Sequence, residues 1–241
     1  MSIRRIILIE NFHRAENTSF WIGKKKYILR INKYLLRDNY KNKTLLDIAA
    51  GSGYVSVEMA KKGLKVIALE ISEQSIKNLI EYKDTFSLNN LKPFLSKAEE
   101  LPLRNESVDY VVANAILEHI FNERKAIKEW LRVLKPGGRI YTTVPLKYRY
   151  IWPFFWPVNY IHDKLIGHLR RYDLEDLERK FNLKKIKVFY TGHFSKMIGF
   201  FISTFFNFKQ FDATIEKYDS KLIDRRYGAS NISVVFEKPR L

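Results

Sequence analysis

Residues 44–60, TLLDIAAGSGYVSVEMA, constrain the fold of this chain more than any other stretch. Leu45, Leu46 and Ile48 make an apolar run of strand length, with Asp47 near its end. Ala49, Ala50, Gly51, Ser52 and Gly53 follow, and then Val55, Val57, Met59 and Ala60 in a helical pattern. A strand, a glycine turn and a helix together form a unit that cradles nucleotides. Small residues let a ligand approach the backbone, and the helix N-terminus offers it free N–H groups. The same residues also suit a plain strand-to-helix turn that needs glycine for its backbone angles, so the remainder of the chain decides.

That remainder alternates strand and helix. KVIALEI, residues 65–71, is apolar throughout and reads as a parallel strand. Glu70 lies near its end, about 20 residues past the first strand, where a carboxylate accepts both hydroxyl protons of a ribose. An acid there also suits the cap of the helix that starts near Ser72 and runs through Ile76, Leu79 and Ile80. Further strands are expected over residues 91–96, 107–115, 139–144, 186–190 and 231–238. Helical turns from Ile116 to Leu134 should end at the glycine stop of Lys135-Pro136-Gly137-Gly138. Ahead of the glycine turn, Tyr27, Ile28, Ile31, Tyr34, Leu35 and Leu36 predict a helix within the segment 1–43 that packs on the sheet or covers a site. Alternation of this kind marks an α/β sandwich with right-handed crossovers.

Composition narrows the function. A chain of 241 residues, 46% of them hydrophobic, builds one substantial core. No interdomain linker or repeat interrupts it, so residues 1–241 are expected to form a single domain. The absence of cysteine excludes disulfides, a thiolate nucleophile and cysteine metal ligands, and no metal site is expected. It also fits a cytoplasmic protein. The opening MSIRRIILIENFHR is too short in its apolar run for a signal sequence, and no stretch reaches the ~20 apolar residues that span a bilayer. The formal net charge of +17 suits an anionic membrane face or a nucleic acid. It equally suits a lysine-rich surface kept soluble by its charge, because the lysines spread along the whole chain.

Five segments, LLDIAAGSGYVSVEMA, ALEIS, KAEELPL, SVDYVVANAILEHI and LRVLKPGGRIYTTVP, stand in the order and spacing of a known family. Together they resemble a class I S-adenosylmethionine-dependent methyltransferase of the small-molecule branch, which includes the ubiquinone and menaquinone methyltransferases. The likeness covers roughly residues 30 to 190. It implies a Rossmann-like three-layer sandwich whose seven-stranded sheet is mostly parallel, with an antiparallel last strand. It implies S-adenosylmethionine as cofactor and S-adenosylhomocysteine as product. Asp47 would lie near the methionine part, with Ala49, Gly51, Ser52 and Gly53 making room for it. Glu70 would hold the ribose, with Ile71 beside it. Ala98 and Glu99 would flank the adenine, and Asn114 would lie beside the methionine. Two positions depart from the pattern. Ala49 replaces the first glycine of the motif, and Lys97 replaces an acid that often contacts the adenine amino group. A dinucleotide-binding domain fits less well, since Ser56 stands where a third glycine is required.

Methyl transfer from a sulfonium needs alignment and a dry site, and a base only where the acceptor must lose a proton. Two histidines are candidate catalytic groups. His119 lies just past the fourth strand, at the carboxyl edge where ligands bind such sheets, though a structural bond to nearby backbone is an equal reading. His168 belongs to Gly167-His168-Leu169-Arg170-Arg171-Tyr172, which is similar to a segment that borders the acceptor pocket in many members of the family. Arg170, Arg171 and Tyr172 are candidate acceptor contacts on that basis. The arginines also suit pairing with Asp173, Glu175 and Asp176, acids that read as a helix cap.

Two aromatic-rich insertions, residues 148–167 and 193–211, leave carboxyl edges of strands and should gather over the site as a lid. Trp152 and Phe155 are their candidate acceptor contacts. Such surfaces suit a hydrophobic or lipid-like small molecule, with peripheral contact to an anionic membrane. They also suit ordinary core or a homodimer interface. An RNA acceptor fits less well, because no RNA-binding module is recognisable, and Asn114-Ala115-Ile116-Leu117 is not the clamp used for exocyclic base amines. A catalytically silent, methyltransferase-like binding protein is the remaining alternative.

Overall fold

The computed structural model describes residues 19–193 and 218–240. Seven strands form one sheet: β1 (Thr44–Ile48), β2 (Lys65–Glu70), β3 (Leu91–Leu95), β4 (Val108–Asn114), β5 (Leu134–Pro145), β6 (Lys184–Thr191) and β7 (Asn231–Glu237). Their order is β3-β2-β1-β4-β5-β7-β6. All neighbouring pairs from β3 to β5 are parallel. β7 inserts between β5 and β6 and runs antiparallel to both. The expected Rossmann-like sandwich with an antiparallel last strand is the observed fold.

Side-chain alternation gives the sheet two buried faces. Leu46, Ile48, Val111 and Ile140 point to one face, where α4 (Glu123–Val133) and α6 (Leu174–Phe181) supply Ile127, Trp130, Leu177 and Phe181. Leu45, Val66, Tyr110 and Tyr141 point to the other. There α1 (Ser19–Arg30), a π-helical turn over Ile31–Leu35, α2 (Tyr54–Lys61) and α3 (Glu73–Thr85) contribute Ile31, Leu35, Val57, Met59 and Leu79. Each large side chain buried in this way contributes about 2 kcal/mol.

Three local expectations change. The helix after β4 is a single 3₁₀ turn, Leu117–His119, separated from α4 by a loop. Lys135-Pro136-Gly137-Gly138 opens β5 instead of closing α4, which ends at Val133. The glycines serve a backbone ladder: Gly137 N–H donates to Lys238 O, and Lys238 N–H donates to Gly138 O. A β-carbon on Gly138 would meet Asp109 O at 2.9 Å, so close strand approach, not helix termination, demands the glycine. Within 148–167, two 3₁₀ turns lead into a regular helix, α5 (Trp156–Ile166), with Pro157 in its first turn, where a missing N–H costs nothing. Of the second aromatic insertion, residues 194–211 lie outside the described residues. So do residues 1–18 of the N-terminal segment.

Candidate active site

The carboxyl ends of β1, β2 and β4 open onto a cavity of about 400 Å³. Ala49, Glu70, Ile71, Ala98, Glu99 and His119 line it, together with Ile116, Ile120 and Phe121. The chain reaches it through an unusual turn. Ala49 takes φ 55°, Gly51 φ 53° and Gly53 φ 75°. Gly53 is required twice, since a β-carbon there would also overlap Leu79 Cδ2 at 2.6 Å. At Gly51 a β-carbon would find nothing nearer than Ala49 O at 3.8 Å, so that glycine keeps space open above the turn.

Glu70 is buried, and backbone amides fix its carboxylate. Oε2 accepts from Gly51 N–H at 2.9 Å, while Oε1 accepts from Ile71 and Ser72 N–H at 2.8 and 3.1 Å. A carboxylate has about four acceptor positions, so a lone pair on Oε2 stays available to a hydroxyl donor. Ser72, not Glu70, caps α3, through its side chain to Ser75 N–H. Asp47 is buried at the end of β1 and accepts from Ser56 Oγ at 2.6 Å. Burial pushes its carboxyl up to about 7 against that hydrogen bond, with a smaller push from Glu70. Asp47, Gly51, Ser52, Gly53 and Asn114 are not among the cavity's walls. The residues fit an adenosine-bearing ligand: an acid at the end of β2, the apolar Ile71 and Ala98 on the wall of the same cavity, and a turn with room beside Gly51.

The acceptor-side candidates gather one layer further out. The His119 and His168 rings lie 4.9 Å apart. His119 Nδ1 is 3.2 Å from Gly167 O, and His168 Nδ1 is 2.7 Å from Asp163 Oδ1. A carbonyl and a carboxylate only accept, so each histidine donates from Nδ1 and turns its Nε2 away from that partner. Burial pushes the His168 imidazole below its usual value, although Asp163 opposes this. Between the two histidines in space is Glu118, which the sequence reading did not single out. It is 1% exposed, and burial pushes its carboxyl up to about 7. Its only sequence signal is its place beside His119 at a strand's carboxyl edge.

The remaining candidates divide. Arg171 is spent on structure: its guanidinium donates to Asp163 at 2.6 and 2.7 Å and to Leu146 O at 2.9 Å. Arg170 pairs with Glu123 and donates to Phe121 O. Neither arginine takes the acids at 173–176, which form the capping box of α6 and pair with Lys147, Arg149, Arg179 and Arg226. Tyr172 sits in the core, its hydroxyl donating to Glu123 Oε2 at 2.7 Å. Phe155 is buried as well. Trp152 lines a separate cavity of about 440 Å³ with His193, Leu222, Arg225, Tyr227 and Gly228.

Residues 46–142 match the family model described as "Methyltransferase domain". The matched segment, which is similar to a methyltransferase domain, takes in most of β1, all of β2, β3 and β4, the residues that line the cavity, and most of β5. A curated relative, the ubiquinone/menaquinone biosynthesis C-methyltransferase of Rickettsia typhi, is 32% identical over 117 residues, which are 45% of this chain and 46% of the relative. The chain spans about half the length of such curated relatives. Among solved structures, a sarcosine dimethylglycine methyltransferase from Galdieria sulphuraria superposes with a TM-score of 0.64 at 22% identity, over 91% of this chain and 86% of its own. A geranyl diphosphate methyltransferase superposes at 0.68 with 15% identity, over 89% and 77%. These likenesses carry the fold of the methyltransferase domain well beyond the matched segment.

Proposed function

We propose that the chain is an S-adenosylmethionine-dependent methyltransferase acting on a small hydrophobic or lipid-like acceptor. The observation that carries the donor half is the cavity that joins Glu70, Ile71, Ala98 and Glu99 at one sheet edge. Glu70 would take the ribose hydroxyls, Ile71 and Ala98 would sandwich the adenine, and Asp47 would face the cationic methionine end. S-adenosylmethionine, when bound, supplies an activated methyl group. In this reading His119, on the cavity wall, would accept an acceptor proton where no metal ion occupies its ring nitrogen, with His168 beside it.

The acceptor half rests on α5, which is turned inside out. Its inward face carries Asn159 and Asp163, while Tyr160, Ile161 and Leu165 point outward at 57, 58 and 80% exposure. Phe154 and Phe121 are exposed beside the same edge, at 83 and 87%. An apolar rim around the site suits an apolar acceptor and contact with a membrane surface. The Rickettsia typhi relative, named for ubiquinone and menaquinone biosynthesis, agrees with that chemistry. No helix among the described residues is long and apolar enough to cross a membrane, so the contact we infer is peripheral.

Titration calorimetry with S-adenosylmethionine and S-adenosylhomocysteine tests the donor half. Saturable heat is expected from the wild type, and a loss of at least about tenfold in affinity from Glu70→Ala, equal to about 1.4 kcal/mol. Labelled donor incubated with a lipid extract tests the acceptor half, and label confined to the water-soluble fraction would refute it.

A further inference from the structure

Methyl transfer as proposed leaves Glu118 without a task. Its side chain is fully enclosed, and its Oε2 has no hydrogen-bond partner. Among the described residues no lysine or arginine forms an ion pair with it. The charge of Arg171 reaches it only from a distance, since that guanidinium is committed to Asp163. A buried carboxylate in this condition is costly unless a cation meets it.

The histidines beside it are arranged to supply the rest of a binding set. Each has its Nδ1–H tied down, one by a backbone carbonyl and the other by a carboxylate. Partners of this kind fix the ring orientation and tautomer of metal-bound histidines. His168 Nε2 therefore faces Glu118 Oε1 at 3.7 Å, beyond a direct hydrogen bond. We propose that Glu118, His119 and His168 form a binding site for a divalent transition-metal ion.

One donor atom from each residue lies within 4.8 Å of the other two. A tetrahedral ion with bonds of about 2.1 Å holds its ligand atoms about 3.4 Å apart, so the pair at 3.7 Å is close to bonding geometry. Two imidazoles and one carboxylate suit zinc, cobalt or iron better than magnesium or calcium, which prefer oxygen. The site is also assembled by the backbone. Leu169 N–H donates to Glu118 O at 2.9 Å, joining the two loops that carry the ligands. A second grouping, His162, Asp163 and His168, is less suited, because Asp163 already accepts from Arg171, Tyr148 and His168. Three protein ligands leave coordination positions open. His119 also lines the donor cavity, so an acceptor oxygen held on the ion would sit near the donor; that consequence alone rests on the methyl-transfer reading.

The test is a titration of the EDTA-treated full chain with Co²⁺, read by visible d–d absorption and by thermal melting. One saturating equivalent is expected, with a rise in melting temperature. Glu118→Gln, His119→Gln and His168→Gln should each weaken binding by at least about tenfold, while His162→Gln should leave it unchanged. Metal-free melting curves report whether each variant folds, and the exposed His119 gives a variant that spares the core. Absence of a saturable band, a band that survives in all three ligand variants, or one lost only in His162→Gln would overturn the site. Because cobalt binding needs neither donor nor acceptor, its failure is separable from a failure of methyl transfer.

Discussion

Asp47 accepts from Ser56 in the interior, and Glu70, Tyr27 and Tyr54 lie around it without offering a positive charge. Its carboxyl, raised to about 7, binds a proton more tightly in the folded chain than in the unfolded one. The folded state is therefore penalised as pH rises from about 4 to about 7, and the penalty stays constant above that range. Asp47→Asn should match the wild type in stability near pH 4 and be more stable by about 4 kcal/mol at pH 8, as measured by urea unfolding at the two pH values. A cationic ligand would offset the same penalty, which gives this residue a reason to exist in a donor site. The strand-end positions of Asp47 and Glu70 and the glycine turn between them were legible because backbone demands and strand ends leave marks in sequence. Glu118 was not legible, since an acid in LEH resembles any helix-surface glutamate until the fold encloses it. The left-handed φ of Ala49 shows that the turn absorbs the missing glycine by strain, at about 1 kcal/mol.

At the scale of elements, the chain from α5 to α6 is a strap pinned across the carboxyl edge of the sheet. Asp163 on α5 receives Arg171, Tyr148 and His168, and Leu146 and Tyr172 form an isolated bridge beneath them. Arg171 is 7% exposed along its side chain, so removal of its partner strands a charge. Asp163→Ala should cost about 3 kcal/mol in denaturant unfolding, well beyond a surface ion pair. The sequence pointed to pairing for these arginines but chose nearby acids. Partners eight residues back on an inverted helix cannot be read from local spacing. The KPGG segment was misjudged for a related reason: a glycine pair that stops a helix and one that starts a tight strand look alike until the neighbouring strand is known.

For the whole molecule, a net charge of +17 and an apolar rim describe one surface chemistry. Each basic residue near an anionic bilayer contributes about 1 kcal/mol, and the rim adds a contribution that salt does not screen. Sedimentation with phosphatidylglycerol vesicles should retain the protein, and phosphatidylcholine vesicles should retain far less. Raising salt to about 1 M, where the Debye length is about 3 Å, should release most but not all of it. A mostly parallel α/β sheet was legible from the alternation of strand and helix, but the strand order was not, because alternation does not say which strands become neighbours. The outward apolar face of α5 was legible only as aromatic content.

The place of β7 has a consequence for how a newly made chain matures. β6 pairs with nothing in the sheet except β7, and β5 needs β7 for its outer ladder. Until residues 231–237 leave the ribosome, both strands present bare amide and carbonyl rows. During synthesis the nascent polypeptide must shelter two sticky borders, and a chaperone that shields them would raise the yield of functional molecules.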